Sequence, residues 1–162
     1  MPEWKNHDKW AEKMGISKET SKFVNGLIDF PKNCQEFQDF CERDPSARIF
    51  TKGRPTRMTV ASLITHDSGR SNKFYREIQL KFLSQKGSDH VKAYYLHQVL
   101  DYIEWWIKNY SEENLTVENI LQEKRLEKKI GDPINEELQS VVKFAIQNSE
   151  EILQDYSRDD IK

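Results

Sequence analysis

Apolar residues recur three and four positions apart along most of this chain, a spacing that commits it to amphipathic helices. Only 6 glycines and 5 prolines occur in 162 residues, so few positions can interrupt the pattern. Those few fall where helices should stop. A first helix over 6–14 ends at Gly15. Phe23, Val24, Leu27 and Ile28 then form a stripe between Ser17, a residue type that caps helix starts, and Pro31, which ends them. A short third helix carries Cys34, Phe37, Phe40 and Cys41. The segment from Arg43 to Arg57 is irregular.

Thr56 caps a helix that ends in His66-Asp67 before Gly69. Ser71 or Asn72 opens the next, with Phe74, Ile78, Leu80, Phe82 and Leu83 as its face, and Gly87 closes it. Ser88 and Asp89 begin a long helix through Asn109. A charged helix spans Thr116 to Ile130. Asp132-Pro133 then supplies the cap and first-turn proline of one final helix, whose stripe is Ile134, Leu138, Val141, Val142, Ala145 and Ile152. No stretch alternates as a half-buried strand does; Arg48 to Thr51 is the one short candidate. The expectation is an all-α fold: a single compact domain over 1–162 with about seven or eight helices. Residues 3–108 would carry the site and 111–162 a C-terminal helical pair.

A hydrophobic fraction of 36% beside 32% charged residues suits a helical protein with a solvated exterior. The net charge of −2 restricts any nucleic-acid contact to a local patch. No apolar run approaches the roughly 20 residues that span a bilayer, so no membrane contact is expected. Met1-Pro-Glu-Trp-Lys-Asn lacks the apolar core of a signal peptide. Cys34 and Cys41 lie two helical turns apart, about 10 Å, beyond disulfide reach. Both read as reduced core residues, and the expected compartment is the cytoplasm.

Chemistry concentrates in the 4 histidines. His90, His97 and Asp101 share one face of the long helix at spacings of seven and four, with Tyr94 on the same stripe. Imidazole and carboxylate one turn apart can converge on one metal ion without backbone strain. His7 shares a face with Trp10, Ala11 and Met14 and therefore points inward, while Asp8 reads as a capping or solvated first-turn residue. Asp67 continues the Val60–Ile64 stripe, and an inward carboxylate needs a partner. Asn25 and Asp29, one turn apart, could line the same pocket, although capping or surface roles fit them better.

Ala61-Ser-Leu-Ile-Thr-His-Asp-Ser-Gly-Arg70 resembles the HD-domain metal-dependent phosphohydrolases, whose helix ends in a His-Asp doublet followed by a small residue, glycine and often a cation. The resemblance implies an HD-like helical bundle in which His7 is the upstream histidine, His66 and Asp67 the doublet, and Asp101 the downstream aspartate. His90 and His97 would be ligands of a second metal. It also implies a divalent transition metal (zinc, manganese, iron or nickel) and a phosphorylated small molecule or nucleotide as substrate. Asp67 would orient the attacking water and Arg70 would pair with a phosphate oxygen. Two features depart from the family: a longer interval from His7 to His66, and Ser68 where an aliphatic residue is common. A second resemblance, through His97-x-x-x-Asp101 and Trp4, is to helical zinc phospholipases C and related single-strand nucleases.

Arg43, Arg48, Lys52, Arg54 and Arg57 read either as a solvated loop or as a phosphate-binding loop over the metal, with Arg54 and Arg57 contacting substrate. Adjacent Trp105 and Trp106 cannot both face one core. One is thus available to a base or to a partner chain, which leaves a homo-oligomer open. Two other classes compete with the hydrolase: a non-catalytic helical interaction module, and a helical nucleic-acid-binding domain using the basic 43–57 loop.

Overall fold

A computed structural model describes residues 4–44, 73–109, 116, 118 and 136–159. Within them the chain forms seven α-helices, one short 3-10 turn and no strand, packed as a single compact domain. The helices are α1 (Lys5–Lys13), α2 (Lys18–Asp29), α3 (Gln35–Arg43), α4 (Lys73–Ser84), α5 (Ser88–Asn109), α6 (Glu136–Gln147) and α7 (Ser149–Asp159). The all-α expectation is met. The helix expected to deliver His66-Asp67, most of the basic loop, and most of the charged helix from Thr116 lie outside the described residues.

Local chemistry explains most of the boundaries. Ser17 Oγ accepts the Thr20 backbone N–H at 3.2 Å and so caps α2, which runs until Pro31 begins the 3-10 turn Pro31–Asn33. Gly15 after α1 (φ +87°) and Gly87 after α4 (φ +132°) adopt left-handed backbone that a side chain would strain. The stripe read as one final helix is instead two. Asn148 interrupts it, donating its side-chain amide to the Phe144 carbonyl at 2.8 Å, and α7 restarts at Ser149. The Asn148 backbone N–H also reaches that carbonyl, at 3.1 Å, so the i to i−4 hydrogen bond is kept across the break.

Helix α5 is the axis of the molecule, in contact with α1, α2, α4, α6 and α7. It has 22 residues and buries side chains on nearly every side, as a helix enclosed by neighbours must. Tyr94, Leu96, Val99, Leu100 and Ile103 are at most 1% exposed. They join a core with Trp10, Val24, Leu27, Phe37, Val141, Ala145 and Ile152. Each Val, Leu, Ile or Phe among them contributes roughly 1.5–3 kcal/mol by leaving water.

Helix α1 is tied to α7 by two donors on Asp155: Lys9 Nζ at 2.6 Å and Trp10 Nε1 at 3.0 Å. Cys34 and Cys41 are both free thiols, and burial pushes the Cys41 thiol up to about 12. Trp106 is buried, whereas Trp105 packs partly against the core. No helix among the described residues is long and apolar enough to cross a membrane.

Candidate metal centre

Three helices bring polar side chains to one buried point. Helix α1 supplies His7, α2 supplies Asn25 and Asp29, and α5 supplies His97 and Asp101. His97 and Asp101 stand one turn apart, so both project from the same side of α5. Ser21, Asn25 and Asp29 repeat every fourth residue on α2 and form a polar stripe between the apolar Val24, Leu27 and Ile28. All three are at most 6% exposed.

His7 Nε2 lies 2.9 Å from Asp101 Oδ1, and His97 Nε2 lies 3.2 Å from Asp101 Oδ2 and 3.5 Å from Asp29 Oδ1. The two imidazole rings stack, with centroids 4.2 Å apart and planes inclined by 15°. On its other side His97 meets Asn25 Oδ1 at 2.8 Å through Nδ1. Trp4 Nε1 donates to Asp29 Oδ2 at 2.7 Å and fixes that carboxylate from outside.

The electrostatics are set by burial and by which groups face which. Burial by itself would lower the pKa of His97, but the close carboxylates of Asp101 and Asp29 outweigh it and hold the ring up at about 9. Both ring nitrogens face oxygen acceptors, which is the environment of an imidazolium. His7 moves the other way: burial and the neighbouring His97 charge push it below its ordinary value, against the pull of Asp101. Burial would raise Asp101, yet the close approach of the His7 and His97 ring nitrogens carries it well below the usual carboxylate range. Asp29 is also lowered, because His97 and Trp4 overcome the cost of burial.

His7, His97 and Asp101 could hold a metal ion, since one ligand atom from each falls within 4.8 Å of the others. The donor set fits such a group. Ligands about 2.1 Å from one ion are separated by about 3.0 Å along an octahedral edge and about 3.4 Å along a tetrahedral one. Within the group, His7 and His97 stand 2.9 and 3.2 Å from the two different oxygens of Asp101, close to the octahedral edge. Both nitrogens of His7 and Nε2 of His97 are buried without an aligned hydrogen bond among the described residues, despite those short distances. Nitrogens directed at a shared point between the oxygens would have this geometry.

His90 stands apart from the group, half-buried with its ring edge-on to Phe23 at 5.9 Å. Burial and the nearby Lys86 charge lower its pKa. His66, Asp67, Arg54, Arg57 and Arg70 lie outside the described residues.

Three residues differ from their sequence reading. Asn25 and Asp29 are buried in the centre instead of capping or facing solvent. Asp8 does not solvate the first turn: its Oδ1 accepts Ser21 Oγ–H at 2.7 Å and Asn25 Nδ2 at 3.1 Å. The recurrence of Ser21, Asn25 and Asp29 at every fourth position was the available signal. Comparison with known protein families, curated proteins and solved structures returned no match for this chain.

Proposed function

We propose that the protein is a metal-dependent hydrolase of a phosphorylated small molecule or nucleotide, with His7, His97 and Asp101 as ligands of a divalent transition metal. The observation that carries this reading is the convergence of those three side chains, drawn from two helices far apart in the sequence, on one buried point. Imidazole with carboxylate suits zinc, iron, manganese or nickel better than calcium or magnesium. A cation bound there would supply Lewis acidity, lowering the pKa of a water in its coordination sphere and offsetting charge on a phosphoryl oxygen.

The chain's own residues do the rest. Asp101 reaches both histidines, one through each carboxylate oxygen, and keeps the two stacked rings in register. Asp29, held by Trp4, adds a second carboxylate on the same side of His97. The site would admit metal with loss of the His97 Nε2 proton, because two carboxylates that favour a proton there favour a divalent cation more. In the same proposal the His66-Asp67 doublet and Arg70 complete the centre, with Asp67 orienting water and Arg70 holding phosphate. That part rests on the HD-like motif alone.

Elemental analysis of the purified protein tests the reading, followed by reconstitution with zinc, manganese, iron or nickel and a panel of phosphate esters. The expected result is stoichiometric metal that is lost in His7→Ala and Asp101→Ala. Protein without metal after reconstitution would sink it.

One observation favours a second reading. Asn25 accepts at His97 Nδ1 and two carboxylates lie within 3.5 Å of its Nε2, so the charges balance around an imidazolium and could serve to pin α1, α2 and α5 together in a non-catalytic module. That reading expects no metal, and a folded protein whose stability depends on Asp101.

A further inference from the structure

Asn25 is the pivot between a polar group whose role is fixed, the Asp8 carboxylate, and one whose role is open, the His97 ring. Its amide lies between Asp8 on α1 and His97 on α5, with all three side chains brought together at the crossing of those helices with α2. A carboxylate can only accept hydrogen bonds, so the Asn25 edge 3.1 Å from Asp8 Oδ1 must be the NH2 group. Ser21 reinforces the assignment. Its hydroxyl hydrogen is committed to Asp8 at 2.7 Å, leaving its oxygen to accept from Asn25 Nδ2 at 3.3 Å. The amide cannot turn over without setting its carbonyl against a carboxylate.

The carbonyl edge therefore faces His97, 2.8 Å from Nδ1. An acceptor that cannot donate obliges Nδ1 to carry hydrogen. The other ring nitrogen, Nε2, is left directed at Asp101 and Asp29. Asn25 is 2% exposed and His97 is 1% exposed, so water does not compete for the bond between them.

We propose that Asn25 is a positioning residue that fixes His97 with Nδ1 protonated and Nε2 as its ligating nitrogen, its own orientation being set by Asp8 and Ser21. The assignment deepens the metal reading and rests on it for the ligating role. Ligand histidines are commonly held in this way by an acceptor on the nitrogen remote from the metal, and removing that acceptor weakens metal binding about 10- to 100-fold. Here the acceptor is a neutral amide instead of a carboxylate. Its polarity comes from a carboxylate one residue further out, so the negative charge is kept off His97 itself.

Two variants and two readouts test this. Asn25→Leu keeps the approximate shape and removes the acceptor. The exchange variant, Asp8→Asn with Asn25→Asp, reverses the amide and carboxylate while leaving an acceptor against Nδ1. Nitrogen-15 NMR of the metal-free protein reads whether the His97 Nδ1 proton is bonded and protected from exchange. Competition with a chromophoric chelator reads the affinity for Zn2+ alone.

In the wild type the Nδ1 proton should be protected. Asn25→Leu should lose that protection and bind Zn2+ about 10- to 100-fold more weakly, while the exchange variant should restore both to within about three-fold. Unchanged protection in a folded Asn25→Leu protein, or Zn2+ affinity within about two-fold of wild type, would overturn the assignment, since the loss expected of a ligand-orienting bond is far larger. If Asn25→Leu does not fold, the exchange variant decides, and an unprotected Nδ1 proton in it overturns the proposal. Wild-type protein that takes up no Zn2+ refutes the metal reading by itself, and the role of Asn25 is then judged on the proton alone.

Discussion

Leu100 and Asp101 are neighbours on α5, yet they belong to two different kinds of interior. Leu100, fully buried, is part of an apolar core whose attraction is non-directional and scales with the area removed from water. Asp101 belongs to a buried crossing of three helices in which position, direction and protonation of each group depend on the others. Both regions hold the same helix in place. The apolar side needs the right volume, whereas the polar side needs the right atoms. Substitutions that conserve shape should therefore be mild on one side of α5 and severe on the other.

The largest effect should come from volume on the apolar side. Leu100→Ala is expected to destabilise the fold by about 4 kcal/mol, through lost burial and the cavity left behind, measured by urea unfolding. Asp101→Asn, which changes almost no volume, should still cost about 3 kcal/mol because His97 then loses one of its two carboxylates. A cost under about 1 kcal/mol would erase the distinction between the two regions and leave Asp101 as a surface charge.

The third effect is one of pH, read in chelator-treated protein. The folded pKa of His97 is raised from 6.5 to about 9, so its contribution is complete below pH 6.5 and lost as pH rises through 9. Unfolding free energy should fall by about 2 kcal/mol between pH 7.5 and 9 on account of His97, and His97→Gln should keep only the smaller slope of the same sign that the raised Cys34 and Cys41 thiols contribute. Asp29 and Asp101 are lowered from 3.8, so their contributions are present above that value and fade on acidification below it. The smallest effect closes the comparison: Leu100→Met should cost about 1 kcal/mol, since volume is kept.

The same division decides what could be read from the sequence. Helix ends were legible where a residue carries its own physical signal, as at Ser17, Gly15, Pro31 and Gly87. The inward faces of α1 and α5 were legible too, and they bring together His7, His97 and Asp101. Asn25 and Asp29 were not, because a polar stripe on a helix looks alike whether it meets solvent or another polar stripe. Only the partner helix tells them apart. The break at Asn148 was hidden for a related reason. No glycine or proline marks it, and the apolar stripe continues across it from α6 into α7 through Ala145 and Ile152.

Helix α1 is nine residues long, too short to persist alone in water. Its side chains nevertheless reach three other helices: His7 to α5, Asp8 to α2, and Trp10 to α7. Its folded state is thus sustained almost entirely from outside itself, and the segment is a natural unit of local opening. An excursion of α1 away from the body removes one ring of the stacked pair, uncouples Asn25 from Asp8 and withdraws Trp10 from the apolar core in a single event. The polar centre is then only as durable as the docking of this one helix. Backbone amide exchange in α1 would report on the assembly of the site, and anything bound across it would slow that exchange by a factor of one plus the ratio of its free concentration to its Kd.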